Sequence, residues 1–230
     1  MNDIDIESLK GIANQLRIHS IEATTAAGSG HPTSCCSAAE VMAALFFGQM
    51  RYDAKNPHYY NNDRFILSKG HAAPLLYAAW AETGLFPIEE LIKLRQFGND
   101  LDGHPASRLP FADVATGSLG QGLSAGVGMA LCARLDNLDY RTYVLLGDGE
   151  CAEGAVWEAA SLAGIYQLNN LIAIVDVNRL GQSQATAFGH DLDVYKKRFE
   201  AFGWRTEEID GHDLDEILEV LAAHQCSLFP

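Results

Sequence analysis

Apolar residues recur along this chain in two rhythms. Two unbroken runs, Thr142-Tyr143-Val144-Leu145-Leu146 and Leu171-Ile172-Ala173-Ile174-Val175-Asp176-Val177, are rich in β-branched and aromatic residues and stop at polar ones, as buried strands do. Between them Gly154 to Leu168 reads as a helix. A strand, helix, strand unit of this length predicts a parallel pair with a right-handed crossover, so Asp148 and Asn178 leave on the same edge of one sheet. Open α/β sheets bind ligands at that edge. A shorter run, Asn62 to Ser68, predicts a strand breaking into Lys69-Gly70-His71.

Helical spacing covers most of the rest. Helices are expected over Leu9–Ala27, ending at Gly28, and over Ser37–Met50, with Ser37 as N-cap and Glu40 completing a capping box. Pro74–Thr83 and Ile88–Phe97 follow, the second opened by Pro87. The glycine-rich run Gly117–Gly128 reads as a loop feeding a helix over Met129–Leu135. Beyond Asn178 come a loop, a helix over Asp191–Phe202, a strand around Arg205–Ile209 and a helix over Leu214–His224. No repeat, low-complexity tract or linker interrupts the chain, which predicts one α/β domain over residues 1–230.

Composition narrows the partners. With 230 residues, 48% of them hydrophobic and 20% charged, the chain can build a real core. A formal net charge of −14 argues against a nucleic-acid or anionic-membrane partner, and leaves any phosphate site dependent on backbone amides, a metal and a few placed cations. No basic-flanked apolar leader and no run of membrane-spanning length is present, so a cytoplasmic location is expected. The five cysteines are an odd number without C-x-x-C spacing and read as reduced thiols.

Candidate chemistry begins at Gly147-Asp148-Gly149-Glu150. Asp148 supplies a carboxylate and Asn178, thirty residues later, a neutral carbonyl, both at strand ends. Magnesium and calcium take oxygen donors of this kind together with phosphate oxygens. Glycines on both sides of Asp148 would let a phosphate approach the backbone; the competing reading of Gly-Asp-Gly is a plain turn. Histidine placement is the second signal. Five of the eight histidines, His31, His71, His104, His190 and His212, follow glycine directly, whereas 21 glycines in 230 residues would place fewer than one there by chance. Imidazoles presented by flexible loops suit proton transfer and hydrogen bonding to sugar hydroxyls. The run Gly120-Gln121-Gly122 with Gly126 and Gly128 raises a dinucleotide fingerprint as an alternative, but the preceding residues 110–115 are too short and polar for the strand it needs.

The pairing of Gly147-Asp148-Gly149-Glu150 with Asn178 resembles the cofactor motif of thiamine diphosphate enzymes. The passages Gly28-Ser29-Gly30-His31-Pro32-Thr33-Ser34, Leu67-Ser68-Lys69-Gly70-His71-Ala72, Asp102-Gly103-His104-Pro105 and Ala115-Thr116-Gly117-Ser118-Leu119-Gly120-Gln121-Gly122 resemble the transketolase family, animal-type, in the family's order. The resemblance runs from about Ile6 to about Leu221. It implies a parallel-sheet, three-layer α/β/α domain of the thiamine diphosphate-binding type. It implies magnesium (or calcium) held by Asp148, Asn178 and the backbone carbonyl of Leu180. Thiamine diphosphate would be contacted by Ser34, His71, Gly117, Ser118, Leu119, Gly149 and Asn178. His31 and His104 would surround the reacting carbon and the donor sugar, with Lys69 as a nearby cation, and Gln182 matches a family loop. The implied reaction is transfer of a two-carbon ketol unit from a ketose phosphate to an aldose phosphate.

The same resemblance marks what is expected to be missing. Family members continue into a pyrimidine-binding domain, which carries the activating glutamate, and a third domain. Residues 223–230 stand where a further strand and a lysine-bearing loop are expected. Two readings follow: the diphosphate-binding part of a transketolase, a separate subunit or a truncated product, inactive without a pyrimidine-binding domain and expected to partner as a homodimer or with a chain that supplies that domain, or a non-catalytic relative that binds cofactor or a transketolase chain.

Overall fold

A computed structural model describes residues 5–226. Their contacts divide into two compact units, one of residues 5–62, 70–117 and 209–226, the other of 63–69 and 118–208.

The second unit is built on a parallel three-stranded sheet. Its strands are β1 (Arg64–Leu67), β2 (Thr142–Gly147) and β3 (Leu171–Asp176), ordered β1-β2-β3. Arg64 lies opposite Thr142, Thr142 opposite Leu171 and Gly147 opposite Asp176. All six residues of β2 are buried, which explains its unbroken apolar run. Helix α5 (Gln121–Leu135) packs on all three strands, and α6 (Gly154–Tyr166), the crossover from β2 to β3, packs on α5. Contact this close depends on glycine. A Cβ at Gly122 would lie 2.4 Å from the Cβ of Ser68, and one at Gly126 would lie 2.6 Å from Val144 Cγ2. The glycine run is therefore helix from Gln121 onward, and the loop expected through Gly128 ends at Gly120. Helix α7 (Leu192–Ala201) completes the unit.

Helix α1 (Ile6–Ala27) organises the first unit. Asp5 caps it through Ser8 N, and Gly28 ends it in the left-handed region. Its buried face, with Leu9, Ala13 and Leu16, meets α2 (Pro32–Ser37), α3 (Ala39–Ala43), α4 (Ala73–Glu82) and α8 (Leu214–Cys226). Ala73 through Ala81 are all buried, so α4 is apolar around its whole circumference.

Three expectations are corrected. The helix over Ser37–Met50 is instead α2, a break at Ala38, α3 and a π-helical turn over Ala44–Gln49; Ser37 closes α2 rather than capping the next helix. Glu40 is drawn away from a capping box by Arg17, whose Nη2 lies 2.5 Å from both carboxylate oxygens. Residues 88–97 form only a 3-10 turn, Ile88–Lys93, after Pro87. No strand forms around Arg205–Ile209; none of these residues is buried, and Arg205 and Thr206 bond locally to Glu207 and Glu200. Of the expectation for residues 223–230, residues 227–230 lie outside the described residues, and 223–226 are the end of α8.

Candidate functional site

In the second unit, β2 delivers Asp148 into a short 3-10 turn, Gly149–Ala152, and β3 delivers Asn178 two residues past its end. Asp148 is 4% exposed. Its backbone N–H donates to Asp176 O, continuing the sheet register, and its Oδ2 accepts from Arg179 N at 2.9 Å and Thr186 Oγ1 at 2.6 Å. Reaching that carboxylate puts Arg179 at φ +58°, a left-handed conformation costly for a side chain. Asn178 Oδ1 accepts from Leu180 N at 2.9 Å, and Asn178 Nδ2 donates to Asp176 Oδ2 at 3.2 Å. The loop closes through a Leu180–Ala185 bridge and the Gly181 N to Gln184 O bond.

Lys69 is fully buried and its Nζ pairs with Asp176 Oδ2. The cation expected near the substrate therefore stands behind Asn178, through Asp176. Ser118 and Leu119 are exposed in the loop ahead of Gly120, which caps α5 at φ +85° and places the first amides of that helix beside them. Helix N-termini of this kind favour anions. A cavity of 260 Å³ opens beside Asp148, lined by Gly149, Cys151, Gln182, Phe188 and Tyr195 among others. Burial, then the negative charge of Asp148, pushes the Tyr195 phenol up to about 12. Burial, then Glu150 and Asp148, pushes the Cys151 thiol up to about 12, so it stays protonated and unreactive.

In the first unit four dispersed loops bring the predicted histidines together. His31 precedes α2; Ser34, on that helix, lies 2.8 Å from His71 Nε2. The His31 and His71 rings meet edge to face at 5.3 Å. Gly70 backs onto Thr116-Gly117 so closely that a Cβ would lie 3.0 Å from Gly117 N. A Cβ at Gly117 would in turn meet the His104 ring at 3.2 Å. Tyr77 donates its hydroxyl to His104 O at 3.1 Å. Burial, then the positive charge of Arg95 and that of His31, lowers the His104 pKa against the pull of Asp102, so the ring is neutral at pH 7. His31 and His104 are exposed, open to a ligand.

The two units thus divide the predicted residues: His31, Ser34, His71, His104 and Gly117 in one, Lys69, Ser118, Leu119, Asp148, Gly149, Asn178 and Leu180 in the other. His190 accepts at its backbone carbonyl from Leu192 N at 3.0 Å, at the start of α7, and His212 pairs with Glu40 just ahead of α8. Sequence reasoning did not single out Arg179, Thr186, Asp176 or Arg95. Arg179, Thr186 and Asp176 depend on partners far along the chain, Asp148 and Lys69, whereas Arg95 acts on His104 nine residues on through a fold of the loop between them.

A parallel sheet with flanking helices, a carboxylate at one strand end and an amide beyond the next defines an α/β cofactor-binding domain. Comparison with known proteins makes the class specific. The family described as transketolase, thiamine diphosphate binding domain, matches residues 8–228. The chain is 59% identical over 223 residues to mouse transketolase, covering 96% of this chain and 36% of that protein. It is 56% identical over 218 residues to bovine transketolase-like protein 2, covering 94% of this chain and 35% of that one. Among solved structures, Campylobacter jejuni transketolase superposes with a TM-score of 0.90 at 34% identity, covering 97% of this chain and 36% of that chain. A Pichia stipitis transketolase complex with sedoheptulose 7-phosphate gives 0.84 at 36% identity, covering 94% and 34%. The chain belongs to the transketolase thiamine diphosphate-binding domain family, and spans about a third of the length of the relatives it matches. The dinucleotide alternative falls with that match, and no strand precedes the glycine run within residues 110–119.

Proposed function

We propose that this chain supplies the metal- and diphosphate-binding part of a transketolase, which transfers a two-carbon ketol unit from a ketose phosphate to an aldose phosphate. The observation that carries this reading is the loop from Asn178 to Thr186, folded back onto Asp148 at the C-terminal edge of the sheet. The family match runs through both compact units, which supports treating residues 1–230 as one domain.

The donor chemistry fits the implied cation. Among the described residues no three His, Cys, Asp or Glu side chains cluster as a metal site. A cation here would be held by one carboxylate, Asp148, with the neutral oxygens of Asn178 and the Leu180 backbone. Magnesium accepts such a set when phosphate oxygens and water complete it. Gly149 presents no side chain at this wall, where a Cβ would stand in ordinary contact with Thr186 Cγ2 at 3.4 Å. Ser118, Leu119 and the first amides of α5 offer further donors to it.

Thiamine diphosphate, when bound, supplies a thiazolium that serves as electron sink. The chain's own residues orient and move protons. Ser34, His71 and Gly117 would contact the cofactor. His31 and neutral His104 would accept or donate a proton at the sugar hydroxyls. Lys69 acts on the site by holding Asp176, and through it Asn178. Sugar phosphates are the substrates in this reading, and the working state is a homodimer or an assembly with a chain carrying the pyrimidine-binding domain. The free thiols Cys35, Cys36, Cys132 and Cys151 support a reducing, cytoplasmic location.

Calorimetric titration of thiamine diphosphate into the chain, with and without magnesium, tests the proposal. Magnesium-dependent binding that disappears in Asp148→Ala is the expected result. Equal binding by Asp148→Ala would overturn the assignment.

A further inference from the structure

Glu150 is 3% exposed, yet it is a carboxylate in the core of the second unit. Its oxygens accept from three donors that come from three separate places in the chain. Ser68 Oγ, just past β1, donates to Oε1 at 2.5 Å. The backbone N–H of Gly120, at the start of α5, donates to the same oxygen at 2.8 Å. The N–H of Gly147, the last residue of β2, donates to Oε2 at 3.1 Å.

Each donor stands beside a residue of the candidate site. Ser68 precedes Lys69, Gly120 follows Ser118-Leu119, and Gly147 precedes Asp148. We propose that Glu150 is a positioning residue whose single buried carboxylate sets the mutual register of these three loops and so shapes the diphosphate- and metal-binding edge. The inference rests on the cofactor reading of that edge given above.

The residue type follows from the geometry. All three partners donate, so the site requires an acceptor on both oxygens. A carboxylate provides this, and hydrogen bonds to a charged group are the strong ones. Glutamine provides one oxygen and one NH₂. In one orientation it keeps Ser68 and Gly120 and turns a donor towards the Gly147 N–H; in the other it turns a donor towards the Gly120 N–H and holds Ser68 only if that hydroxyl accepts. Alanine at 120 is barred independently, because a Cβ there would lie 2.8 Å from Glu153 Cβ and the residue sits at φ +85°. Gly122 is barred by Ser68. The loops therefore have tight walls and one shared anchor.

The test compares the full chain with its Glu150→Gln variant by two readouts. Amide hydrogen exchange is followed by NMR at Gly147, at Gly120 and, as a reference in β2, at Val144. Thiamine diphosphate is titrated calorimetrically in magnesium. Exchange at Gly147 is expected to rise about tenfold to a hundredfold, the range for losing one hydrogen bond to a charged group, while Val144 changes far less. Thiamine diphosphate affinity is expected to fall at least about tenfold with it. An equal rise at Gly147 and Val144 would reduce Glu150 to general core stability and overturn the proposal, as would unchanged cofactor affinity beside altered exchange. If the unmodified chain binds no thiamine diphosphate, the cofactor reading fails, and the exchange ratio alone decides whether Glu150 anchors the loops. Should Glu150→Gln not fold, Ser68→Ala removes one of the three bonds, and the same ratio is read at Gly120 against Val144.

Discussion

The hydroxyl of Thr186 donates to Oδ2 of Asp148 at 2.6 Å, fastening the far end of the loop that begins at Asn178 to the carboxylate that ends β2. A residue thirty-eight positions away thus helps to orient the carboxylate proposed as the charged metal ligand. Replacing Thr186 with valine keeps the shape and removes the donor. Losing a hydrogen bond to a charged group costs about 1.5–3 kcal/mol, so magnesium-dependent thiamine diphosphate affinity should fall about tenfold or more in Thr186→Val. Thr186→Ser should bind nearly as the unmodified chain does. Calorimetric titration of both variants checks this; a loss in Thr186→Ser with none in Thr186→Val would show that the methyl group, not the hydroxyl, matters.

His104 carries a pH prediction. Burial is the first cause of its lowered pKa and Arg95 the second. Arg95 sits at φ +60°, donates its N–H to Leu101 O at 2.8 Å, and occupies the space over Gly103, where a Cβ would lie 2.1 Å from its Nη2. Arg95→Met should raise the His104 pKa part of the way back towards 6.5, since burial remains, and Arg95→Lys should leave it low. NMR titration of the ring, assigned with His104→Gln, reads this directly. The linked effect on stability has a definite sign. The unfolded chain protonates His104 at a higher pH than the folded chain does. Stability is therefore lost as the pH falls from about 6.5 towards the folded value, and Arg95→Met should shrink that loss.

The strands and the β2–α6–β3 crossover were legible because β2, buried throughout, and β3, half-buried, carry nearly continuous apolar runs, and Asp148 and Asn178 were legible because they stand where those runs stop. The histidine loops were marked by glycine, and the structure shows why at Gly70 and Gly117, where backbone or ring comes too close for a Cβ. What stayed hidden depends on partners distant in sequence. Arg179 takes a left-handed conformation only because Asp148 accepts its N–H. Lys69 was expected as a cation near the substrate, and its pairing with Asp176, 107 residues on, left no mark in the sequence. The expected strand at Arg205–Ile209 failed for a related reason. Trp204 is held by its indole N–H to Ala160 O, and the polar residues after it find local partners instead of a neighbouring strand.

Glu40 links three elements of the first unit. Arg17 of α1 lies 2.5 Å from both its oxygens, and His212, just ahead of α8, places Nδ1 3.0 Å from Oε2. Burial alone would raise its pKa; the bonds from Arg17 and His212 overcome that and hold it below the ordinary 4.5. A carboxylate so held contributes stability that is present above about 4.5 and is lost as the pH falls through the lower folded value. Removing one partner of a nearly buried pair costs about 3 kcal/mol, so Glu40→Gln should unfold at lower denaturant at pH 7, and the difference should vanish in acid. Urea titrations at several pH values check both parts, and a difference independent of pH would exclude the ionic explanation.

Helix α5 meets the sheet where the chain has no side chain to spare. At Gly122 a Cβ would lie 2.4 Å from Ser68 Cβ and 2.8 Å from Ser68 Cα, so the obstruction is backbone as well as side chain. Gly128, on the same helix, has nothing within 4 Å of its Cβ position. Helix propensity alone would make alanine better than glycine at both sites by about 1 kcal/mol. Packing reverses the sign at one of them. Gly128→Ala should be neutral or stabilising, and Gly122→Ala destabilising by about 1–3 kcal/mol as α5 is forced off β1. Because Ser68 also bonds Glu150, Gly122→Ala should weaken thiamine diphosphate binding too, whereas Gly128→Ala should leave it unchanged. Thermal unfolding and cofactor titration of the two variants separate the effects; a stabilised Gly122→Ala would mean that α5 does not seat on the sheet this closely.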